Sequence, residues 1–299
     1  MLYKNSKKIS VQGEEAMKKL VAVMLLGIAL LGTTSAQNLK SDGLQGKVHT
    51  LEEETWELTL KFGEYVKNKL LNKMISIYDT KGNEIEWAFY NTDGSLYEKH
   101  IYTYDARGNM TEDAFYNADG SLIFKAIYTY DARGNETEAD RYDADGSLAW
   151  KEIYTYDAKG NRTEWAWYNA DGSLFSKDIS TYDARGNETE ADSYDADGLL
   201  KGKYISTYDD KGNKIELALY KADGSLDKKY IFTYDAKGNR TEWAFYNADG
   251  SLDKKYIFTY EYDKFGNWTK KIISEEVSKF GKVYLEPQKV TIRTITYYP

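Results

Sequence analysis

Seven glutamates recur at one spacing along the chain: Glu86, Glu112, Glu138, Glu164, Glu190, Glu216 and Glu242. Carboxyl groups are the material of acid–base catalysis, which needs one of them protonated and another ionised in different surroundings. Seven equivalent copies share their surroundings, so the column reads as structural. Asp143-Ala144-Asp145-Gly146-Ser147 resembles the start of a calcium loop. It lacks the further spaced oxygens and the terminal bidentate Glu, and turn chemistry accounts for the same residues. His49 and His100 are the only histidines, and there is no cysteine. A three-His site, a thiolate metal site, a Cys nucleophile and a disulfide are therefore excluded. No P-loop, Gly-x-Ser-x-Gly or dinucleotide fingerprint is present. The sequence points to no enzyme, no cofactor and no metal.

The binding signal lies in aromatic residues that vary between equivalent positions. Trp87/Phe89, Trp165/Trp167 and Trp243/Phe245 stand where other units carry Asp113/Phe115, Ala139/Arg141, Ala191/Ser193 and Leu217/Leu219. Exposed Trp beside Lys stacks on sugar rings or anchors a protein partner. The plainer reading is duplication, since residues 157–166 and 235–244 are identical.

These columns belong to a lattice. Tyr-Asp-x-x-Gly-Asn recurs every 26 residues, beginning at Tyr78, Tyr104, Tyr130, Tyr156, Tyr182, Tyr208 and Tyr234. Between successive copies stands Asp-Gly, from Asp93 to Asp249 on the same period. Both punctuate segments that alternate β-branched or aromatic residues with others, the mark of strands. Asp or Asn first and Gly last suits a type I turn followed by a left-handed glycine, a three-residue hairpin loop with a bulge. Each repeat is thus two antiparallel strands, and the chain is all-β: tandem hairpins in a curved or superhelical meander.

The turn rule also sets faces. It places Tyr102 opposite Glu112, Asp113 opposite Lys125, and Trp165 between Lys177 and Ile153. One face then carries Tyr102, Tyr104, Glu112, Ala114, Tyr116, Leu122 and Tyr128; the other carries Lys99, Ile101, Asp113, Phe115, Lys125 and Ile127. The first is nearly constant between repeats, so it is expected to pack inward, with a Tyr–Glu ladder. The variable face is expected to meet solvent or a partner. Residues 37–77 and 268–299 leave the lattice and read as linker and capping strands around the repeats at 78–267.

Met17-Lys18-Lys19, the apolar run Leu20–Leu31 and Thr34-Ser35-Ala36 have the form of a secretory signal at 17–36, cleaved after Ala36. Residues 1–16 read as a misassigned upstream extension. The whole chain has a formal net charge of −8, from 40 basic and 48 acidic residues. Removing residues 1–36 takes away five Lys and two Glu and leaves −11. Such an acidic chain is a poor match for a phosphate backbone, so no nucleic acid is expected. Nor is a stable membrane span expected after signal removal.

Tyr-Thr-Tyr-Asp-Ala-Arg-Gly-Asn at 102–109 and 128–135, and the Lys version at 154–161, resemble the RHS/YD-repeat family of bacterial surface and secreted proteins. The resemblance covers about 78–267; MORN-like hairpin repeats are a looser relative. It implies a β-meander able to wind into a shell around a toxin domain. The expectation is an exported, non-enzymatic binding module in the periplasm, on the surface or secreted. Its partner would be a glycan or protein at the cell envelope. The alternative is a structural RHS-like shell segment accompanying a separate effector or toxin.

Overall fold

The computed structural model describes residues 38–39 and 42–299; the signal-like run and its expected cleavage site lie outside them. Eighteen strands follow in chain order. They are β1 (Val48–Lys61), β2 (Glu64–Tyr78), β3 (Glu84–Tyr90), β4 (Leu96–Tyr104), β5 (Met110–Asn117), β6 (Leu122–Tyr130), β7 (Glu136–Asp143), β8 (Leu148–Tyr156) and β9 (Arg162–Asn169). Then come β10 (Leu174–Tyr182), β11 (Glu188–Asp195), β12 (Leu200–Tyr208), β13 (Lys214–Lys221), β14 (Leu226–Tyr234), β15 (Arg240–Asn247), β16 (Leu252–Tyr262), β17 (Trp268–Lys279) and β18 (Lys282–Tyr297). Each pairs antiparallel with its sequence neighbours, and β1 also pairs with β18. The meander therefore closes on itself as a barrel. The end segments expected to be caps pair with one another, β1 with β18, so no edge is left to aggregate.

The turns follow the sequence expectation. In Asp105–Asn109, Gly108 N–H donates to the Asp105 carbonyl (3.1 Å) and Asp105 N–H to that of Asn109 (2.9 Å). The Asp105 carboxylate accepts from the Arg107 and Asn109 amides and the Asn109 carboxamide. That is an Asx turn ending in a left-handed Gly108. At the other end Asp119 Oδ1 accepts from Ser121 N–H at 2.9 Å.

The faces differ from expectation. Tyr104 does face Met110 and Tyr116 does face Leu122, but the register then shifts by one residue inside each pair. Tyr102 meets Asp113 rather than Glu112, Ala114 meets Lys125, and Asp113 meets Ala126. Trp165 lies between Tyr154 and Asp178. A β-bulge just past each turn of the repeats inserts one extra residue, and a one-residue slip moves the rest of a strand to the opposite face. The Tyr102/Tyr128/Tyr154 column thus shares a face with the variable Trp column, while the Glu column goes to the other side.

Burial identifies the inside. Tyr128, Ala139, Arg141, Glu152, Tyr154, Trp165, Leu217 and Phe232 are buried on the Trp-bearing face. The opposite face leaves its Ile column half-buried, or exposed at Ile127 and Ile179, and pairs Glu with Lys across strands. Among these pairs are Glu138–Lys151 at 2.8 Å, Glu242–Lys255 at 3.2 Å and Glu164–Lys177 at 3.7 Å. The variable Trp and Tyr102/Tyr128/Tyr154 columns therefore line the lumen and the Glu, Lys and Ile columns the outer wall, so each expected face is split and the Trp and Glu columns lie on the sides opposite to those expected. The partner of the Glu column is Lys, not Tyr. In a single-layer wall, lateral neighbours repeat from unit to unit on the outside, whereas the lumen lining has no identical surface to fit.

The rim formed by the Tyr-Asp turns is tied laterally. Tyr130, Tyr182 and Tyr208 donate their hydroxyls to the carbonyls of Met110, Arg162 and Glu188, one hairpin back. Residues 38–39 and 42–47 complete this rim over the seam. Leu39 N–H donates to the Gly82 carbonyl, and the Asn267 side chain bonds both the N–H and the carbonyl of Gln45. Beneath them Leu44, Val48, Leu51 and Tyr78 form a small buried cluster with Leu39, Ile295 and Tyr297.

Candidate functional site: the aromatic lumen

An 18-stranded perimeter is wider than inward side chains can fill. Trp87, Phe89, Trp167, Tyr204, Tyr230, Trp243 and Phe245 are only half-buried although they face inward, so the lining remains open to solvent. All six residues expected to bind face this lumen, yet they do not converge. They belong to three separate stretches of wall.

The first stretch lies on β3–β6. Trp87 meets His100 edge-on at 5.5 Å, His100 stacks on Phe115 at 4.5 Å, and Phe115 contacts Phe124 at 4.9 Å. His100 Nδ1 lies 2.8 Å from Asp113 Oδ1, an orienting bond for the ring. Phe89 stands beside Trp87 at 6.2 Å.

The second stretch, on β7–β9, is built on the buried Glu152. Its Oε1 accepts from Arg141 Nε and Trp150 Nε1, both at 3.2 Å. Its Oε2 accepts from Tyr154 OH at 2.6 Å and Trp165 Nε1 at 3.1 Å. Arg141 also donates to Tyr128 OH at 3.0 Å. A buried carboxylate with four donors and a guanidinium partner is satisfied, and such networks rigidify. Trp165 is 8% exposed, an anchor of the wall rather than a free binding face. Trp167, whose ring lies tilted against it with centroids 4.0 Å apart, is half-buried and presents the accessible ring. Arg162 lies over Trp165 at 4.6 Å.

The third stretch, on β14–β16, has Trp243 and Phe245 4.2 Å apart, with Tyr230 and Tyr256 edge-on to Phe245 at 5.3 and 5.7 Å. Arg240 sits over Phe232 at 4.5 Å.

Between the second and third stretches the sequence reading missed a lane of small and polar residues. The register sets Trp167 opposite Ser176, Trp165 opposite Asp178, Asp178 opposite Ser193, Ser180 opposite Ala191, and Ser193 opposite Gly202. Burial pushes the Asp178 carboxyl up to about 6, partly offset by its hydrogen bond with Ser193. Glu136 is pushed up to about 7, chiefly by burial and then by the nearby Glu152. The signal was available: Ser193 is the smallest member of its column, Ala191 and Ser180 share that place with Ala139 and Ser206, and in the column of Ser176 only Gly202 is smaller. Only the corrected register places them side by side.

Asp143–Ser147 is an ordinary hairpin turn, with Asp145 Oδ1 accepting from Ser147 N–H and Oγ. Among the described residues no group of three or more potential metal ligands is found, and no helix is long and apolar enough to cross a membrane.

No protein-family model matches the chain, and no curated protein matches it. Among solved structures it is similar to a porin-like protein from Bacteroides uniformis, with TM-score 0.45 and 13% identity, over 84% of this chain and 99% of that one. A porin-like protein from Bacteroides vulgatus gives TM-score 0.33 and 10% identity, over 84% and 98%. The TcdB2-TccC3-Cdc42 structure gives TM-score 0.21 and 13% identity, over 75% of this chain but 16% of that one.

Proposed function

We propose that the protein is an exported, non-enzymatic barrel of the cell envelope or exterior whose lumen binds a glycan. The observation that carries this reading is the small polar lane of Ser176, Asp178, Ser180, Ser193 and Gly202, with the accessible Trp167 on one side and Tyr204, Tyr230 and Phe245 on the other. Sugar rings offer apolar faces to aromatic planes and hydroxyls to carboxylates and serines, and this lining supplies both. A folded protein partner is less well served, because the aromatic columns point into a barrel.

The outer wall supports water on that side. A lipid-spanning barrel needs an outward apolar band about 25 Å tall. Here the Lys–Glu pairs cross the middle of strands seven to eleven residues long and leave no such band. The RHS-like shell alternative is disfavoured by the β1–β18 pairing, which leaves no edge from which the sheet could continue.

The test is a titration of intrinsic Trp fluorescence with a panel of soluble bacterial oligosaccharides, on the wild type and on Trp167→Ala. At least one glycan should bind, with affinity reduced roughly tenfold or more in the variant. A panel without binding, or equal affinities, would overturn the reading.

A further inference from the structure

Two hairpins project from the rim opposite the Tyr-Asp turns. Residues Glu64–Asn72 of β2 run on beyond the end of its pairing with β3, which begins at Lys73–Tyr90. The β1–β18 pairing stops at Glu57–Lys289, and past it the β1–β2 and β17–β18 hairpins continue as separate fingers. At about 3.3 Å per residue each finger reaches on the order of 20 Å past that point.

Both fingers end alike although their flanks differ. Lys61-Phe62-Gly63-Glu64 and Lys279-Phe280-Gly281-Lys282 are two-residue loops, closed by the pairs Lys61–Glu64 and Lys279–Lys282. Both loop residues have positive φ: 52° and 88° in the first, 51° and 72° in the second. That is the loop for which Asn-Gly is the favoured pair. A bulky Phe in the left-handed region is a strained choice, and the chain makes it twice. The two rings are fully exposed, at 107% and 102%. Leu60, Tyr65, Val283, Tyr284 and Leu285 are exposed behind them. Lys61, Lys67, Lys279 and Lys282 flank these tips, against Glu64 and Glu286, in a chain whose formal net charge is −8.

We propose that these twin fingers dock the barrel, rim first, on an anionic phospholipid surface. Phe62 and Phe280 enter the headgroup–acyl boundary, Tyr65 and Tyr284 lie at headgroup level, and the lysines meet lipid phosphates. Convex apolar points suit a fluid layer that parts around them. The excess of Lys at the tips complements an anionic surface that the acidic remainder of the chain would repel. The lumen is then presented end-on to the membrane, with the tied rim facing away. This holds whether or not the lumen takes a glycan.

The experiment is vesicle co-sedimentation of the chain from Asn38 onward, which contains all eighteen strands. Vesicles of phosphatidylcholine with and without phosphatidylglycerol are compared for the wild type and for the double variant Phe62→Asn, Phe280→Asn. Asn suits the left-handed position, so the variant should melt at or above the wild-type temperature. The wild type should sediment with the phosphatidylglycerol vesicles, and the variant should bind them at least roughly tenfold more weakly. Wild-type protein left in the supernatant, or a variant that sediments like it, overturns the proposal. Equal binding to pure phosphatidylcholine overturns the anionic component.

Discussion

The two faces of this wall are made from the same strands by opposite rules. Outside, one set of contacts is copied from repeat to repeat: Glu to Lys across strands, with Ala166 and Ala218 buried beneath their flanking side chains. Inside, equivalent positions hold Trp165, Ala191 and Leu217, each with different partners. Constancy in a repeat array therefore reports lateral contact between neighbouring copies, not depth. Variation is tolerated where the wall looks onto open space, and there each stretch makes its own network. The outer contacts are individually weak and many; the inner ones are few and include a buried carboxylate with four donors.

The strongest break of this contrast is Trp165→Ala. It removes a buried indole and one donor to Glu152, and should cost about 3–5 kcal/mol in a urea melt. A loss below about 1 kcal/mol would place Trp165 among the dispensable lining residues.

A rim pair extends the comparison to the turns. A Cβ at Gly186 would lie 3.2 Å from Asn161 Oδ1 of the neighbouring turn, whereas one at Gly172 meets open space. Both glycines have positive φ, so each change to Ala should cost about 1–2 kcal/mol of backbone strain. Gly186→Ala should cost more, because its Cβ also crowds the lateral ladder. Equal melting midpoints for the two variants would dissolve the distinction between the tied rim and the free one.

The response to pH sharpens the contrast through its sign. Burial raises Glu84 to about 8 and Glu136 to about 7. A carboxyl whose folded pKa lies above its unfolded value holds its proton more tightly when folded. Its contribution is present below the ordinary value near 4.5 and disappears as pH rises through 7–8. Asp105, Asp131 and Asp157 at the rim are held low, first by the backbone amides of Asn109 and Asn135 and Asn161. Their contribution is present at neutral pH and is lost on acidification. Stability should therefore fall by more than about 1 kcal/mol between pH 5 and pH 8, and Glu136→Gln should flatten that slope. A variant with an unchanged slope would remove the lumenal carboxyl from the explanation.

The smallest effect belongs to the outer face. Glu164→Gln weakens one partly exposed pair, 3.7 Å from Lys177, and should shift stability by less than about 0.5 kcal/mol. A loss as large as that of Trp165→Ala would mean that the outer ladder, not the lumen network, carries the wall.

Read alone, the sequence determines the unit. The 26-residue period, both turn types and the left-handed glycines follow from residues adjacent in the chain, as in Asp105-Ala106-Arg107-Gly108-Asn109. Local hydrogen bonding leaves those turns one arrangement. Strand existence follows equally, because alternation is a local property. Tertiary structure alone decided the faces and the closure. The bulges that turn Tyr102 from Glu112 to Asp113 respond to sheet curvature, and no residue type announces them. Val48 to Glu57 meets Lys289 to Tyr297 only once sixteen other strands have curved the sheet round. Whether Trp165 faces water or a lumen depends on both, so a two-residue pattern could show that Trp165 and Trp167 share a side but not which side it is.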